Sequence, residues 1–501
     1  EISDIMVLLL CFSFFCLVIT AVELPKVLWE QGYSNGDCEA HPHAGVELSI
    51  GGFFLVGDSV CWNQPDSPLK RSIFAVRTSP DGTLVWSHQL GQLGHNYGKF
   101  ALELSDGSLL VAGSVSIEAT GKAKKQGIPY LERRGYFRLD VSTGRILSNH
   151  TLAGPGDKPG AEATVRDGFM AVVEVTGIYQ PQDEIQVIFT GYLGGESGYN
   201  TTSKTYDDEP MFFIYGGYAF LTKLTLPLSI YAGHQGPVID DDVTFDKLNG
   251  IVAMQGMRLH AVNSTVLLSC VTHLPNDGNL QFGAILYELG QQKLKWARMY
   301  TASNASQSHP FAFAASPSSD SVVLAGHAIE SRSRKLRQHE LSAPQDMPVG
   351  RVVMLEFATG DVRWEARFSN EEKDANTECY GVAFVASYGG LAVTCGTGVE
   401  PEDHPLDPPK AKTWRVLTAA VSEQGELLWQ GLFTDNAALQ NNAGEYILAT
   451  RAGGAAVLVD SQSWGTPGTG GNFGLQLLAP LKGERIVSLQ VAQPYMLYKV
   501  P

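Results

Sequence analysis

The sequence predicts an all-β protein, a seven-bladed β-propeller of four-stranded antiparallel blades, and three observations support this. Glycine is abundant at 53 residues and charged residues make up only 18%, which is typical of a chain with many tight turns. A turn-and-strand motif with a tryptophan, SPDGTLVWSHQLG at 79–91, recurs at 289–300, 358–368 and 422–433. A strand–turn–strand motif, clearest at 97–114, alternates with it. Four-stranded units repeated in this way predict a propeller.

Each unit is read as strands A to D, with tight A–B and C–D turns. Seven units have inner strands starting near residues 45, 98, 161, 253, 310, 381 and 445. Six or eight blades are the alternatives, because the third unit is stretched, with its first hairpin placed at 160–177, and the fourth is degenerate. Strand D carries the recurring tryptophan, so Trp86 is interpreted as packing between blades.

Residues 22–501 are predicted to form one propeller domain with a C-terminal closure segment. Ring closure has two solutions in the sequence. Residues 26–34 resemble a strand D that precedes the first strand A, and residues 484–491 are also placed to complete the last blade. One of the two segments closes the ring, and the other adds to the edge or covers it.

Residues 1–21 contain a long apolar run and are interpreted as a secretory signal peptide, with an uncleaved membrane anchor as the alternative. Four N-x-S/T sequons, at Asn149, Asn200, Asn263 and Asn304, agree with export. The expected location is therefore outside the cell or in the secretory pathway, with membrane contact only through an uncleaved anchor. The formal net charge of −16 disfavours nucleic acid as a partner.

Five cysteines follow the apolar N-terminal segment. Cys38 and Cys61 bracket the first hairpin, and Cys379 and Cys395 bracket the hairpin of the sixth unit. Because neighbouring antiparallel strands bring such ends together, we expect the disulfides Cys38–Cys61 and Cys379–Cys395. Cys270 is left over as a buried thiol.

The strand order gives the disc two different faces. The A–B and C–D turns are short and share one face, whereas the long B–C and D–A connections share the other, where binding residues are expected. Carboxylates that could hold Ca²⁺ on this loop-rich face are Asp240, Asp241 and Asp242 in a D–A connection, with Asp207, Asp208 and Glu209 in the long loop of the third unit. Basic groups that could contact an anionic partner or polysaccharide are Lys124, Lys125, Arg133 and Arg134 in the second unit and Arg334 and Lys335 in the fifth.

The repeats resemble secreted propeller repeats of the SBBP type and the quinoprotein (PQQ) repeat, with ATGDVRW at 358–364 as the closest copy of the latter. This resemblance implies the fold over about residues 27–491 and little about activity. The vicinal cysteine pair of quinoprotein dehydrogenases is absent from this chain. No cofactor is therefore expected apart from the weakly indicated Ca²⁺.

Two functional hypotheses follow. The preferred one is an exported, non-enzymatic propeller that binds a protein or glycan partner through its loop-rich face. The alternative is a carbohydrate-active hydrolase or lyase, or a quinoprotein-like oxidoreductase, with its site over the central channel. That alternative requires two or more carboxylates, or a histidine with a carboxylate, converging where the inner strands begin.

Overall fold

Seven antiparallel sheets of four strands, arranged around an axis, make up the structure. The computed structural model describes residues 24–481 apart from 62–68, 155–165, 176–183, 196–198, 201–204, 207–216, 228–236, 246–247, 249, 263, 276, 319, 333–344, 371–374, 400–413, 434–439 and 465–470. The seven innermost strands contact one another in cyclic order, and the last contacts the first. The predicted seven-bladed propeller is thus confirmed.

The chain begins with β1 (Val27–Tyr33), which belongs to the last blade. Blade 1 consists of β2 (Glu39–Glu47), β3 (Phe53–Val60), β4 (Leu69–Thr78) and β5 (Leu84–Leu90), with the short β6 (Gly94–His95) beside β4. Blade 2 consists of β7 (Tyr97–Glu103), β8 (Leu109–Glu118), β9 (Tyr130–Leu139) and β10 (Ile146–Thr151), with helix α1 (Gly121–Lys125) between β8 and β9. Blade 3 consists of β11 (Arg166–Glu174), β12 (Glu184–Gly195), β15 (Tyr218–Pro227) and β16 (Val238–Thr244), with the small hairpin β13 (Tyr199–Asn200) and β14 (Thr205–Tyr206) between β12 and β15.

Blade 4 consists of β17 (Val252–Val262), β18 (Thr265–Leu274), β19 (Asp277–Glu288) and β20 (Lys293–Tyr300). Blade 5 consists of β21 (Ala305–Ala315), β22 (Ser321–Arg332), β23 (Gln345–Glu356) and β24 (Val362–Phe368). Blade 6 consists of β25 (Asn376–Val385), β26 (Gly390–Gly398), β27 (Arg415–Ser422) and β28 (Leu427–Leu432), with a 3₁₀ turn (Ala386–Tyr388). Blade 7 contains β29 (Asn442–Ala449), β30 (Ala455–Ser461) and β31 (Asn472–Leu478).

The N-terminal strand closes the ring. β1 pairs antiparallel with β31, with Glu30 opposite Gln476 and Tyr33 opposite Phe473, and so supplies the outermost strand of blade 7. Of the two closure segments considered in the sequence, 26–34 therefore occupies the closing position. The rival segment, 484–491, and the proposed signal segment, 1–21, lie outside the described residues.

Blade 3 departs from the predicted strand positions. The prediction of a hairpin within 160–177 is wrong. The segment Arg166–Gly168, where that hairpin would turn, belongs to β11, and β11 pairs with β12, which begins only at Glu184. Asp167 is fully buried in β11 and accepts a 2.8 Å hydrogen bond from the Gly194 amide, so this segment extends the sheet rather than turning. In blade 3, the A–B connection (175–183) and the C–D connection (228–237) are longer than the corresponding turns of the other blades.

Among the described residues, seven of the hydrophobic clusters lie between adjacent blades, one for each pair. The second strand of each blade supplies residues to both neighbouring clusters, which explains its continuous apolar run; all eight residues of β3 are buried. Stability therefore depends on packing between blades as well as on pairing within them.

Recurring tryptophans on the outermost strands of blades 1 and 5 form hydrogen bonds with the next blade. The indole Nε1 of Trp86 donates to the Val141 carbonyl at 3.0 Å, and Trp364 donates to the Glu423 carbonyl at 2.8 Å. Both acceptors belong to the C–D turn of the following blade, whose left-handed glycine lies under the indole ring; for Trp364 this is Gly425, with φ of 87°. The interpretation of Trp86 as an interblade residue is confirmed.

We expect Gly425→Ala to destabilise the protein more than Gly107→Ala. Both glycines have positive φ, 87° and 80°, so alanine is strained at either position. A Cβ at Gly425 would lie 2.8 Å from the Trp364 ring, whereas nothing lies within 4 Å at Gly107. Urea denaturation should give a loss of about 1 kcal/mol for Gly107→Ala and about 2–4 kcal/mol for Gly425→Ala. Equal losses would contradict the tryptophan–glycine contact.

Both predicted disulfides are present. Cys38 and Cys61 are joined with a Cα–Cα distance of 4.3 Å, and Cys379 and Cys395 with 3.9 Å, while Cys270 is a buried free thiol. Two disulfides indicate an oxidising environment. Within the described ranges, no helix is long and apolar enough to cross a membrane.

Candidate functional site

A ring of seven side chains lines the propeller axis, one from the inner strand of each blade. Each inner strand has a β-bulge at which one residue has no partner on the second strand. A bulge re-aims the extra side chain. The seven bulged residues all line one axial cavity, and in blade order they are His43, Lys99, Met170, Met257, Phe311, Tyr380 and Glu445.

Glycines on the second strands make room for four of these bulges. At Gly113 and Gly326, an added Cβ would lie 1.7 Å and 1.9 Å from a carbonyl oxygen of the inner strand. Gly57 and Gly191 face the same obstacle at 1.9 Å each. The recurring glycine of LVAGS and VLAGH thus allows the inner backbone to approach closely, which places the axial side chain.

The axial cavity is small and has two different halves. It measures about 30 Å³, enough for about one or two water molecules. Blades 3 to 5 contribute Met170, Met257 and Phe311, which belong to an apolar cluster around the axis. Blades 7, 1 and 2 contribute the titratable Glu445, His43 and Lys99.

A buried charge network supports the polar half. The Asp58 carboxylate is fully buried and bonds to the Arg71 guanidinium and to His43 Nε2. Lys99 Nζ lies 3.2 Å from the same His43 nitrogen. Burial and the Lys99 charge lower the pKa of His43 to about 4, so this imidazole is neutral at pH 7. Burial likewise lowers the pKa of Lys99 to about 8.

A larger, acidic pocket of about 320 Å³ opens where the inner strands of blades 1, 6 and 7 begin, on the loop-rich face. Its carboxylates are Glu39 from β2, Glu378 from β25 and Asp460 from β30. Tyr380 lines both this acidic pocket and the axial cavity, so the two adjoin.

A histidine joins two of these carboxylates. His41 Nδ1 lies 2.8 Å from Asp460 Oδ2, and its Nε2 lies 3.2 Å from Glu39 Oε1. Burial alone would lower the pKa of His41, but Asp460 and Glu39 together raise it well above 6.5. This shift favours the imidazolium form of His41, whose two N–H groups then donate to Asp460 and Glu39.

Glu378 is the carboxyl group in the pocket that most readily keeps a proton. Burial raises the pKa of Glu378 above its usual 4.5, although the Tyr380 hydroxyl donates a hydrogen bond to Oε2 and opposes this shift. Burial and the neighbouring carboxylates also raise the pKa of Tyr380, so its phenol remains protonated as the donor. Glu378, whose protonated form is favoured by burial, and Asp460, which contacts His41, thus line one pocket in different surroundings.

The remaining walls offer one aromatic ring and several amides. Trp414 is half-buried, and its ring lies against Gly396, where a Cβ would be 2.8 Å from it. The side-chain oxygen of the exposed Asn441 accepts a 3.0 Å hydrogen bond from the Trp414 backbone amide. The backbone amide of Asn441 donates a 3.0 Å hydrogen bond to the Gln462 side chain. An apolar ring with hydrogen-bonding groups around it is the composition of a pocket for a hydroxylated ligand.

Asp240, Asp241 and Asp242, the described part of the predicted Ca²⁺ site, lie on a strand. This is the outer strand β16, not a D–A connection, because the strand continues through them. Asp240 accepts a hydrogen bond from Thr225 at 2.7 Å, whereas Asp242 bonds to Thr222 and Arg134. Among the residues placed here, no three His, Cys, Asp or Glu side chains are grouped to hold a metal ion.

The basic cluster of blade 2 is split. Lys124 and Lys125 are exposed on α1, and Lys124 pairs with Glu118 at 3.0 Å. Arg133 and Arg134, expected in the same loop, are instead buried in β9, since their charges are paired within the fold: Arg134 lies 3.0 Å from Asp242 and Arg133 lies 3.7 Å from Asp167. The predictions at Asp207, Asp208, Glu209, Arg334 and Lys335 lie outside the described residues.

Sequence reasoning missed the pocket residues Glu39, His41, Glu378, Tyr380 and Asp460. A signal for part of this set was present. When the seven inner strands are aligned by their repeats, the bulged residues occupy the same alignment position, and Glu378 lies two positions before it.

No protein-family model and no curated protein matches this chain, so the SBBP and quinoprotein likeness remains one of repeats. Solved propellers do match. A polysaccharide lyase of family PL25, an ulvan lyase, shares 9% identity over 91% of this chain and 96% of its own, with a TM-score of 0.44. The α-L-arabinofuranosidase Arb93A from Fusarium graminearum shares 9% over 76% and 91%, with 0.38, and BamB from Moraxella catarrhalis shares 9% over 91% and 100%, with 0.35. Likeness at this level concerns the fold alone.

Proposed function

We propose that this propeller binds a neutral carbohydrate in the acidic pocket and hydrolyses a glycosidic bond there. The observation that carries the proposal is the presence on the walls of one pocket of Glu378, a carboxyl group with a raised pKa, and Asp460, which contacts His41 at 2.8 Å. Carboxyl groups gathered near the start of the inner strands are what the enzymatic hypothesis requires, and they support it.

Glycoside hydrolysis uses two carboxyl groups in different protonation states. Glu378 is assigned the role of acid, because burial lets it keep a proton for the leaving-group oxygen. Asp460 is assigned the role of base or nucleophile at the sugar, because its hydrogen bond with His41 orients it on the wall of the pocket. Tyr380 positions Glu378 through its hydrogen bond.

The charge of the pocket favours uncharged or amino sugars as the substrate class. Three carboxyl groups and one imidazolium leave the wall acidic at neutral pH, so a uronate or sulfated sugar would be repelled. Trp414 offers an apolar face to a sugar ring, and the carboxylates accept hydrogen bonds from its hydroxyls.

Binding of a glycan without catalysis is the second candidate. Trp414, just before β27, and Gln462, just after β30, line the acidic pocket, as expected for a partner site on the loop-rich face. Both candidates use the same pocket, and hydrolysis distinguishes them.

The test is a screen of the purified protein against p-nitrophenyl glycosides of neutral sugars, amino sugars and uronates. We expect p-nitrophenol release from neutral or amino-sugar substrates and none from uronates. Asp460→Asn should lower kcat by about 10²-fold or more, because no carboxylate remains to act opposite the acid. Glu118→Gln, at an exposed carboxylate on blade 2, is the matched control and should retain full activity.

Calorimetric titration of the same sugars completes the test. Binding without hydrolysis, weakened by Trp414→Ala, would support the second candidate and overturn the enzymatic one. Neither binding nor hydrolysis of any sugar would overturn both.

A further inference from the structure

Blade 6 differs from four other blades at the strand pair that directly precedes the axial bulge. In blades 1, 2, 3 and 5, the second-strand residue of this pair is a glycine, which lets the inner backbone approach closely. These pairs are Pro42 with Gly57, Gly98 with Gly113, Phe169 with Gly191, and Pro310 with Gly326. In blade 6 the same pair is Cys379 opposite Cys395, and a disulfide joins the two residues. A covalent cross-link therefore stands where these four blades have a close backbone contact.

The cross-link lies behind the acidic pocket. Cys379 is flanked on β25 by Glu378 and Tyr380, which line the pocket and are joined by a hydrogen bond. The Cys379 sulfur points toward β23 of blade 5, since a Cβ at Gly350 would lie 2.8 Å from it. The disulfide thus fixes the backbone between two pocket residues without occupying the pocket itself.

The disulfide also stands directly before an interruption of the β25–β26 ladder. The register shifts between Cys379 and Gly381, so that Tyr380 forms a bulge. Glu378 lies opposite Gly396, against which the ring of Trp414 packs. The cross-link therefore ties the segment of β25 that carries Glu378 to the strand that supports Trp414, and so it connects two walls of the pocket.

We propose that the Cys379–Cys395 disulfide is a positioning element of the acidic pocket, so that efficient hydrolysis requires the oxidised protein. The inference rests on the proposed hydrolysis. Glu378 has to reach the leaving-group oxygen, and a displacement of about 1 Å in a catalytic group lowers a rate by about 10²-fold.

A dithiol reductant would open this bond by thiol–disulfide exchange. One thiolate of the reductant attacks a disulfide sulfur, and its second thiol resolves the mixed disulfide, which leaves two cysteine thiols and the oxidised reductant. Cys379 and Cys395 are fully buried, so the exchange requires local opening of the β25–β26 pair.

The test compares two double variants of the full chain with the wild type. Cys379→Ala/Cys395→Ala removes the disulfide of blade 6. Cys38→Ala/Cys61→Ala removes the disulfide of blade 1, which closes a loop of similar length, with a sequence separation of 23 against 16.

The kcat/KM for an alkyl glycoside, whose leaving group needs the proton of Glu378, should fall about tenfold or more in Cys379→Ala/Cys395→Ala and stay within about threefold in Cys38→Ala/Cys61→Ala. For a dinitrophenyl glycoside, whose leaving group needs no proton, both variants should stay within about threefold of the wild type. Unchanged hydrolysis of the alkyl glycoside in the blade 6 variant, or an equal loss on both glycosides, would overturn the proposal.

Hydrogen exchange of backbone amides separates this inference from the proposed function. A wild type that hydrolyses no glycoside overturns the proposed function, and exchange then decides whether the disulfide holds the pocket. A peptide that contains Glu378 and Tyr380 should exchange about tenfold faster in Cys379→Ala/Cys395→Ala than in the wild type, and unchanged exchange would overturn the positioning role.

Should the blade 6 variant fail to fold, the wild type is treated with dithiothreitol, and alkylation with peptide mass spectrometry shows which disulfide has opened. Loss of alkyl-glycoside hydrolysis, or faster exchange around Glu378, should accompany the opening of Cys379–Cys395. Hydrolysis and exchange that both stay unchanged after this bond has opened would overturn the proposal.

Discussion

Asp58→Ala is expected to lower the free energy of unfolding by about 3–5 kcal/mol, because it leaves the Arg71 charge buried without its partner. Arg71 is only 5% exposed and Asp58 is fully buried, so water cannot replace the lost carboxylate. The same change removes the partner of His43 at the axis. Urea denaturation followed by tryptophan fluorescence measures the loss.

Two controls separate this buried pair from ordinary surface charges. The double variant Asp58→Val/Arg71→Met should lose less stability than Asp58→Ala alone, because no unpaired charge is left inside. Glu118→Ala breaks the exposed Lys124–Glu118 pair and should cost less than about 1 kcal/mol. A loss below about 1 kcal/mol for Asp58→Ala itself would contradict the assignment of Asp58 as the central charge of the network.

The same carboxylate predicts how stability changes in acid. Burial would raise the pKa of Asp58, but Arg71 and His43 more than compensate and hold it well below 3.8. A folded-state pKa below the unfolded one means that the stabilisation is present above about pH 4 and is lost as the pH falls through the folded value. Asp58→Ala should therefore lose less stability than the wild type between pH 4 and pH 2.

Glu378→Gln is expected to lower kcat by about 10²- to 10⁴-fold on the glycosides that the wild type hydrolyses, since that is the usual contribution of a general acid. Glutamine preserves the size of the side chain and still accepts a hydrogen bond from Tyr380, so binding should change little. Initial rates of product release, with Glu118→Gln as the control, measure the effect. A kcat within about threefold of the wild type would remove Glu378 from the mechanism.

Much of the fold was predictable because local chemistry specifies it. A left-handed glycine in a C–D turn and a tryptophan on strand D are separate signals in the sequence, and the structure joins them: Trp364 of blade 5 packs on Gly425 of blade 6. The cysteine pairs were predictable for the same reason, since Cys379 and Cys395 face each other across one hairpin. The hairpin prediction for blade 3 was wrong because the sequence Arg166–Gly168 resembles a turn, whereas the buried contacts of Asp167 hold this segment in a strand.

The acidic pocket was not predictable in the same way. His41 and Asp460 are 419 positions apart and meet only because β1 closes the ring next to blade 1. The pKa shifts of Glu378, His41 and His43 arise from burial together with neighbouring charges such as Asp460 and Lys99, which no local sequence pattern records. Charged residues predicted to lie in long connections were more conspicuous in the sequence than the pocket residues. Arg133 and Arg134, however, form ion pairs inside the fold.

The central claim is that Glu378 donates the proton to the leaving group, and its most direct test compares leaving groups. The ratio of wild-type to Glu378→Gln kcat/KM is measured for an alkyl glycoside, whose leaving group needs protonation, and for a dinitrophenyl glycoside, whose leaving group does not. The account predicts a ratio of about 10² or more for the alkyl glycoside and close to one for the dinitrophenyl glycoside. The same ratio for both substrates would contradict it.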